Sequence, residues 1–141
     1  LMEIDEFEDL YKYYGERRSQ FVIKKVAERL SSNLRATDLL ARLGQSKFAV
    51  LIPGGGEVQG QEIAERMRAD IEDFAIDDGR GAVLQVCLSI GLVTWEPQQF
   101  PAVDMPQLAR QMETVGNKAL DDAKARGGNC VAQSRLSTLV L

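Results

Sequence analysis

The sequence predicts an α/β sandwich with antiparallel pairing, and three observations carry the prediction. From Val83 to Val93, Leu84, Val86, Leu88, Ile90 and Leu92 alternate with small or polar residues, giving a long strand with one crowded face. Helical stripes occur elsewhere, the most regular being Leu108, Met112, Val115, Ala119 and Ala123. Asp38 to Arg42 and Lys47 to Ile52 read as two short strands, and the intervening Leu43, Gly44, Gln45 and Ser46 are few enough to force a tight hairpin.

The elements follow in order. Leu1 to Ile4 reads as the end of an apolar strand entered without its beginning, so the chain is expected to be cut from a longer protein. Phe7, Leu10, Tyr11 and Tyr14 are spaced as a short amphipathic helix that Gly15 can end. Ser19 is expected to N-cap a longer helix in which Val22, Val26, Leu30 and Leu34 recur every four residues. After the hairpin, Pro53 to Gly60 reads as a glycine-rich loop. Gly54, Gly55 and Gly56 lack the following Gly-Lys-Ser/Thr of a phosphate cradle and are expected to be a plain connection. Ile63, Met67, Ile71 and Phe74 mark the next helix, and the long strand follows it. A loop with Pro97, Pro101 and Pro106 leads to the most regular helix, which ends at Lys124, Arg126 and Gly127, where cations and glycine suit a helix C-terminus. Asn129 to Gln133 would be the last strand.

A length of 141 residues with 45% hydrophobic side chains suits one domain, expected over 1–134, with 135–141, including Leu139-Val140-Leu141, as a tail or linker. Acidic and basic residues, 21 and 17 for a net charge of −4, are mixed along the chain without a basic block, so neither nucleic acid nor membrane is an expected partner. No apolar run is long enough to span a bilayer and no signal segment opens the chain, so a cytoplasmic location is expected. Cys87 and Cys130 lie in apolar stretches and are expected to be buried free thiols. With no histidine in the chain, triad and common zinc chemistries lack their usual groups. An enzyme built from this sequence would have to use carboxylates, lysine, backbone groups and metal.

Several strings occur in one order and spacing. They are Ile4-Asp5-Glu6-Phe7 with Gly15, Val26-Ala27-Glu28-Arg29-Leu30, Arg35 through Gly44, Phe48 through Pro53, Ile63-Ala64-Glu65-Arg66, Leu88-Ser89-Ile90-Gly91, and Ala119-Leu120 with Ala123-Lys124 and Gly128-Asn129. Together they resemble the GGDEF family, the fold of bacterial diguanylate cyclases, from Glu3 to Val131. The resemblance implies a central mixed, largely antiparallel sheet flanked by helices, the nucleotide-cyclase fold. It also implies that active members condense two GTP molecules, one on each of two facing domains, into cyclic di-GMP.

The family's Gly-Gly-Asp-Glu-Phe turn here reads Gly44-Gln45-Ser46-Lys47-Phe48. By the resemblance, the turn's glutamate would bind magnesium together with a first-strand carboxylate, which falls on Glu3; Lys47 occupies the turn position. A unit charge about 4 Å from another is worth roughly 4 kcal/mol at an effective dielectric of about 20, so this replacement is expected to remove magnesium binding. The implied base-recognising positions fall on Tyr11 and Lys12 and a phosphate-contacting lysine on Glu8. Lys124 matches a triphosphate lysine, and the arginine implied four residues later is Gly128. Glu3 also reads as a solvent-facing strand end, Lys124 as a helix C-terminal charge, and Lys47 as an exposed residue after a turn.

The resemblance thus implies a catalytically inactive member that acts on a neighbouring domain, such as an EAL domain in the same polypeptide as in FimX-like regulators, or on another signalling protein. The alternative is a sensor of cyclic di-GMP or GTP, and the remaining reading is an altered but working cyclase. For cyclic di-GMP the candidates are Arg35 and Asp38, an Arg-x-x-Asp five residues before the turn, with Arg66 as the second arginine of that product-inhibition site. Arginine forks and a carboxylate suit guanine edges and phosphates. The same pair also reads as a surface contact between a helix end and a strand start.

Overall fold

In the computed structural model the described residues are 1–97 and 103–136; Pro101 and residues 137–141 of the expected 135–141 tail lie outside them. The chain forms β1 (Met2–Ile4), α1 (Phe7–Ser32), β2 (Leu39–Arg42), β3 (Lys47–Leu51), α2 (Glu57–Glu72), β4 (Ile76–Asp77), β5 (Val83–Leu84), β6 (Leu88–Thr94), α3 (Met105–Ala125) and β7 (Val131–Arg135). Five strands make one sheet in the order β2-β3-β1-β6-β7, with β4 and β5 a separate ribbon. The β2–β3, β1–β3 and β1–β6 pairs are antiparallel and β6–β7 is parallel, so the sheet is mixed and largely antiparallel, as expected.

Successive strand residues face opposite sides, and this places the helices. A Cβ at Gly91 would lie 2.4 Å from the Leu120 nitrogen of α3, whereas one at Gly60 of α2 would lie 3.4 Å from Leu92, so α3 and α2 cover opposite faces of β6. Met2, Ile4, Phe48, Leu88 and Ile90 join Val22, Val26 and Leu30 of α1 and Met67 and Ile71 of α2 in the core. Glu3, Lys47, Ser89 and Gly91 alternate with these residues and therefore look toward α3.

Several local expectations are corrected. Gly15, at φ 81 and ψ 178, breaks α1 as expected, but Ser19 is not an N-cap. It is fully buried inside the helix and its Oγ donates to the Gly15 carbonyl at 2.7 Å. The glycine-rich loop ends at Gly56, and Gly60 is a helical residue that lets α2 approach Leu92; Phe74 lies beyond that helix. The single strand from Val83 to Val93 is two: Val83–Leu84 pairs with Ile76–Asp77, and the chain re-enters the main sheet at Leu88. Leu84, Val86, Leu88 and Ile90 are buried and Leu92 half-buried, while Ser89 and Gly91 are buried on the other side, so both faces of β6 are covered. Finally, Pro106 is in the first turn of α3, a position that needs no N–H donor, and Asp104 caps that helix. Cys87 and Cys130 are free thiols and half-buried rather than buried. The last strand runs through Arg135.

Candidate functional site

The hairpin turn meets the end of β1 at a cleft of about 520 Å³, lined by Glu3 to Asp9, Gln45, Ser46, Lys124, Gly127 and Gly128. Arg42 fixes the turn: its Nε donates to the Gly44 carbonyl at 2.8 Å and Nη2 to the Gln45 carbonyl at 2.9 Å. Gln45 is exposed, whereas Ser46 is half-buried and its carbonyl accepts from the Ile4 amide at 3.0 Å. The residue that sets the turn's charge leaves the cleft altogether. Lys47 is half-buried on the α3 face, and its Nζ donates to Asn117 Oδ1.

Glu3 is not a free strand end. Its Oε2 lies 2.5 Å from Lys124 Nζ, and its side chain is 27% exposed. The cleft wall therefore carries the carboxylates of Glu3, Asp5, Glu6, Glu8 and Asp9 and one cation, Lys124, which is already paired. An anionic triphosphate would meet net negative charge there. Tyr11 and Lys12 are exposed on the first turns of α1. Gly128 has φ +77, and a Cβ there would lie 2.9 Å from Asp5 Oδ2, so an arginine at this position would be strained and crowded.

Sequence reasoning missed Asp5, Ser89, Asn117 and Asn129. Asp5 accepts from Ser89 Oγ at 2.5 Å and from the Asn129 amide at 2.7 Å, tying β1 to β6 and to the turn after α3. No local pattern signals these contacts. The available pointers were the positions of Asp5, Ser89 and Asn129 within the Ile4-Asp5-Glu6-Phe7, Leu88-Ser89-Ile90-Gly91 and Gly128-Asn129 strings.

At the second candidate site, Arg35 and Asp38 do meet. The Arg35 amide donates to Asp38 Oδ2 at 2.8 Å, Nε to the same oxygen at 3.4 Å, and Nη2 to Oδ1 at 3.2 Å and to the Pro53 carbonyl at 3.2 Å. These contacts hold the Asp38 carboxyl below the usual carboxylate range, first through the Arg35 side chain and then through its amide. The side chain of Asp38 is 4% exposed and that of Arg35 61%. Arg66 is exposed on α2, and none of the contacts described here joins it to the pair.

The family model described as "Diguanylate cyclase, GGDEF domain" matches residues 1–130. The chain is 34% identical over 133 residues to YhcK of Bacillus subtilis, covering 94% of this chain and 35% of YhcK. It is 31% identical over 132 residues to "Probable diguanylate cyclase DgcT" of Escherichia coli, covering 93% of this chain and 28% of that protein. The chain thus spans about a third of the length of these curated relatives. Diguanylate cyclase SiaD of Pseudomonas aeruginosa, solved in complex with its activator SiaC, shares the fold at a TM-score of 0.82 and 23% identity, over 94% of this chain and 48% of SiaD. The hairpin, the sheet order and the family match agree: the chain belongs to the GGDEF domain family.

Proposed function

We propose that this GGDEF domain is a non-catalytic module of cyclic di-GMP signalling that works through regulatory contacts with a neighbouring domain, such as EAL, or with another signalling protein. The observation that carries this reading is Lys47: the turn position that would supply a metal-binding carboxylate holds an ammonium group, and its side chain is engaged by Asn117. Of the two carboxylates that the resemblance assigns to magnesium, the turn position is Lys47 and the other, Glu3, is already paired with Lys124, which a dication would have to displace. Without a cation, the charge that develops on the phosphates during transfer would face carboxylates. SiaD provides a precedent for a protein partner in this family, since it was solved with its activator.

Incubation of the purified protein with GTP and magnesium is expected to yield no cyclic di-GMP by mass spectrometry; detectable product overturns the reading. The triple variant Gln45→Gly, Ser46→Asp, Lys47→Glu is expected to remain nearly inactive, because Tyr11, Lys12 and Gly128 are unchanged and the backbone at Gly128 disfavours a side chain. A second reading, a cyclic di-GMP sensor at Arg35, Asp38 and Arg66, draws support from the exposure of both arginines.

A further inference from the structure

Glu3 stands between two ammonium-bearing side chains. Its register partner across the β1–β3 ladder is Lys47, and directly opposed residues of an antiparallel pair hold their Cβ atoms about 5 Å apart. From the covering helix, Lys124 reaches the Glu3 carboxylate. Asn117, the acceptor of the Lys47 ammonium, lies seven residues before Lys124, two turns along the same stripe of α3. Glu3 and two lysines thus share the seam between the sheet and α3. Among the described residues, no group of three or more His, Cys, Asp or Glu side chains is gathered for a metal.

We propose that Lys124 is a built-in counter-ion of Glu3 that takes the place of a divalent cation, and that Lys47 on the neighbouring strand adds a second positive charge against such an ion. Lys124 neutralises the carboxylate. Lys47, opposite it in register and held by Asn117, disfavours any dication that would displace Lys124. The ends of β1, the hairpin and α3 are then joined by the chain's own charges, and the domain needs no metal to hold this arrangement. The inference rests on the non-catalytic reading and deepens it by stating what controls cation access to that site.

The test uses Mn²⁺ as probe, with free ion measured by electron paramagnetic resonance, on the native chain, Lys47→Gln, Lys47→Glu, and Lys47→Glu combined with Glu3→Gln. Circular dichroism checks that each variant is folded. The native chain is expected to bind no more tightly than the double variant, whose weak binding reports scattered surface carboxylates. Lys47→Glu is expected to bind at least about tenfold more tightly than the native chain, because a repulsion becomes an attraction. Adding Glu3→Gln should remove that gain. If Lys47→Glu does not fold, Lys47→Gln decides; it keeps a group able to reach Asn117 but no charge, and should gain at least about threefold. A folded Lys47→Glu that binds like the native chain overturns the inference, as does a gain that survives Glu3→Gln. So does the absence of a gain in Lys47→Gln where that variant decides. Cyclic di-GMP synthesis by the native chain would refute the non-catalytic reading, whereas equal Mn²⁺ binding by the native and Lys47-substituted proteins would refute only the counter-ion assignment.

Discussion

Asp5 and Asn129, 124 positions apart, are joined by a 2.7 Å hydrogen bond from the Asn129 backbone amide to Asp5 Oδ2. The other Asp5 oxygen accepts from the fully buried Ser89 hydroxyl. Asn129 takes a left-handed φ of 48, and its side-chain oxygen accepts from Arg68 Nη1 at 2.8 Å, so one short loop is pinned from β1 and from α2. Truncating Asp5 to alanine leaves a buried hydroxyl and a backbone amide without their acceptor. The Asp5→Ala variant is expected to lose about 3 kcal/mol of unfolding free energy in urea titration. Loss of less than about 1 kcal/mol would mean that water replaces the carboxylate at little cost.

Gly91 sets how closely α3 approaches the sheet. An added Cβ would meet the Leu120 nitrogen at 2.4 Å and the Gly116 carbonyl oxygen at 2.5 Å, both backbone atoms that no rotamer change can move. Gly91→Ala is therefore expected to cost about 3 kcal/mol, the upper part of the usual range for overpacking, with a matching fall in Tm. An unchanged Tm would mean that α3 shifts freely on β6.

These residues also show where the sequence was legible. The hairpin, α3 and the core face of β6 announced themselves through period and turn length, signals carried by neighbouring residues. Ser19 misled because a small hydroxyl that caps helices can equally bond the carbonyl four residues back, as it does to Gly15. Gly60 misled because close helix-to-sheet packing uses the same residue as a loop does. The break between β5 and β6 was hidden because β4, the partner that draws Val83 and Leu84 away, is two residues long and shows no period. The contacts of the candidate site were beyond local reading: Lys47 meets Asn117 across 70 positions and Asp5 meets Ser89 across 84.

Acid sensitivity follows from four carboxylates held below their usual range. Asp70 is lowered chiefly by hydrogen bonds from Arg29 and then from Asn33; Glu72 by Arg68; Asp78 by the Arg80 amide; and Asp38 by Arg35. A native pKa below the unfolded one means that the folded state binds fewer protons, so the stabilisation is complete above the unfolded values, 3.8 for Asp and 4.5 for Glu, and is lost as pH falls through the lower native values. The urea midpoint is expected to decline below about pH 4.5, and Asp70→Asn should flatten that decline while lowering the midpoint at higher pH. A native midpoint that stays constant down to about pH 3 would contradict the assignment.

The last prediction separates a sensor from a surface ion pair at Arg35 and Asp38. The guanidinium of Arg35 already serves Asp38 and the Pro53 carbonyl, and Asp38 is turned inward, with both carboxylate oxygens accepting from Arg35. A guanine ligand would have to displace these contacts, and Arg66 is not drawn to the pair by any contact described here. Arg35→Ala removes the guanidinium that serves the inward-turned Asp38 but leaves the bond from the residue-35 amide, so a modest loss of stability is expected. Calorimetry is accordingly expected to give no saturable binding of cyclic di-GMP to the domain at near-millimolar ligand, and no difference in Arg35→Ala. Saturable binding that Arg35→Ala weakens at least tenfold, about 1.4 kcal/mol, would instead establish the pair as a ligand site, and the domain would then act as a cyclic di-GMP sensor.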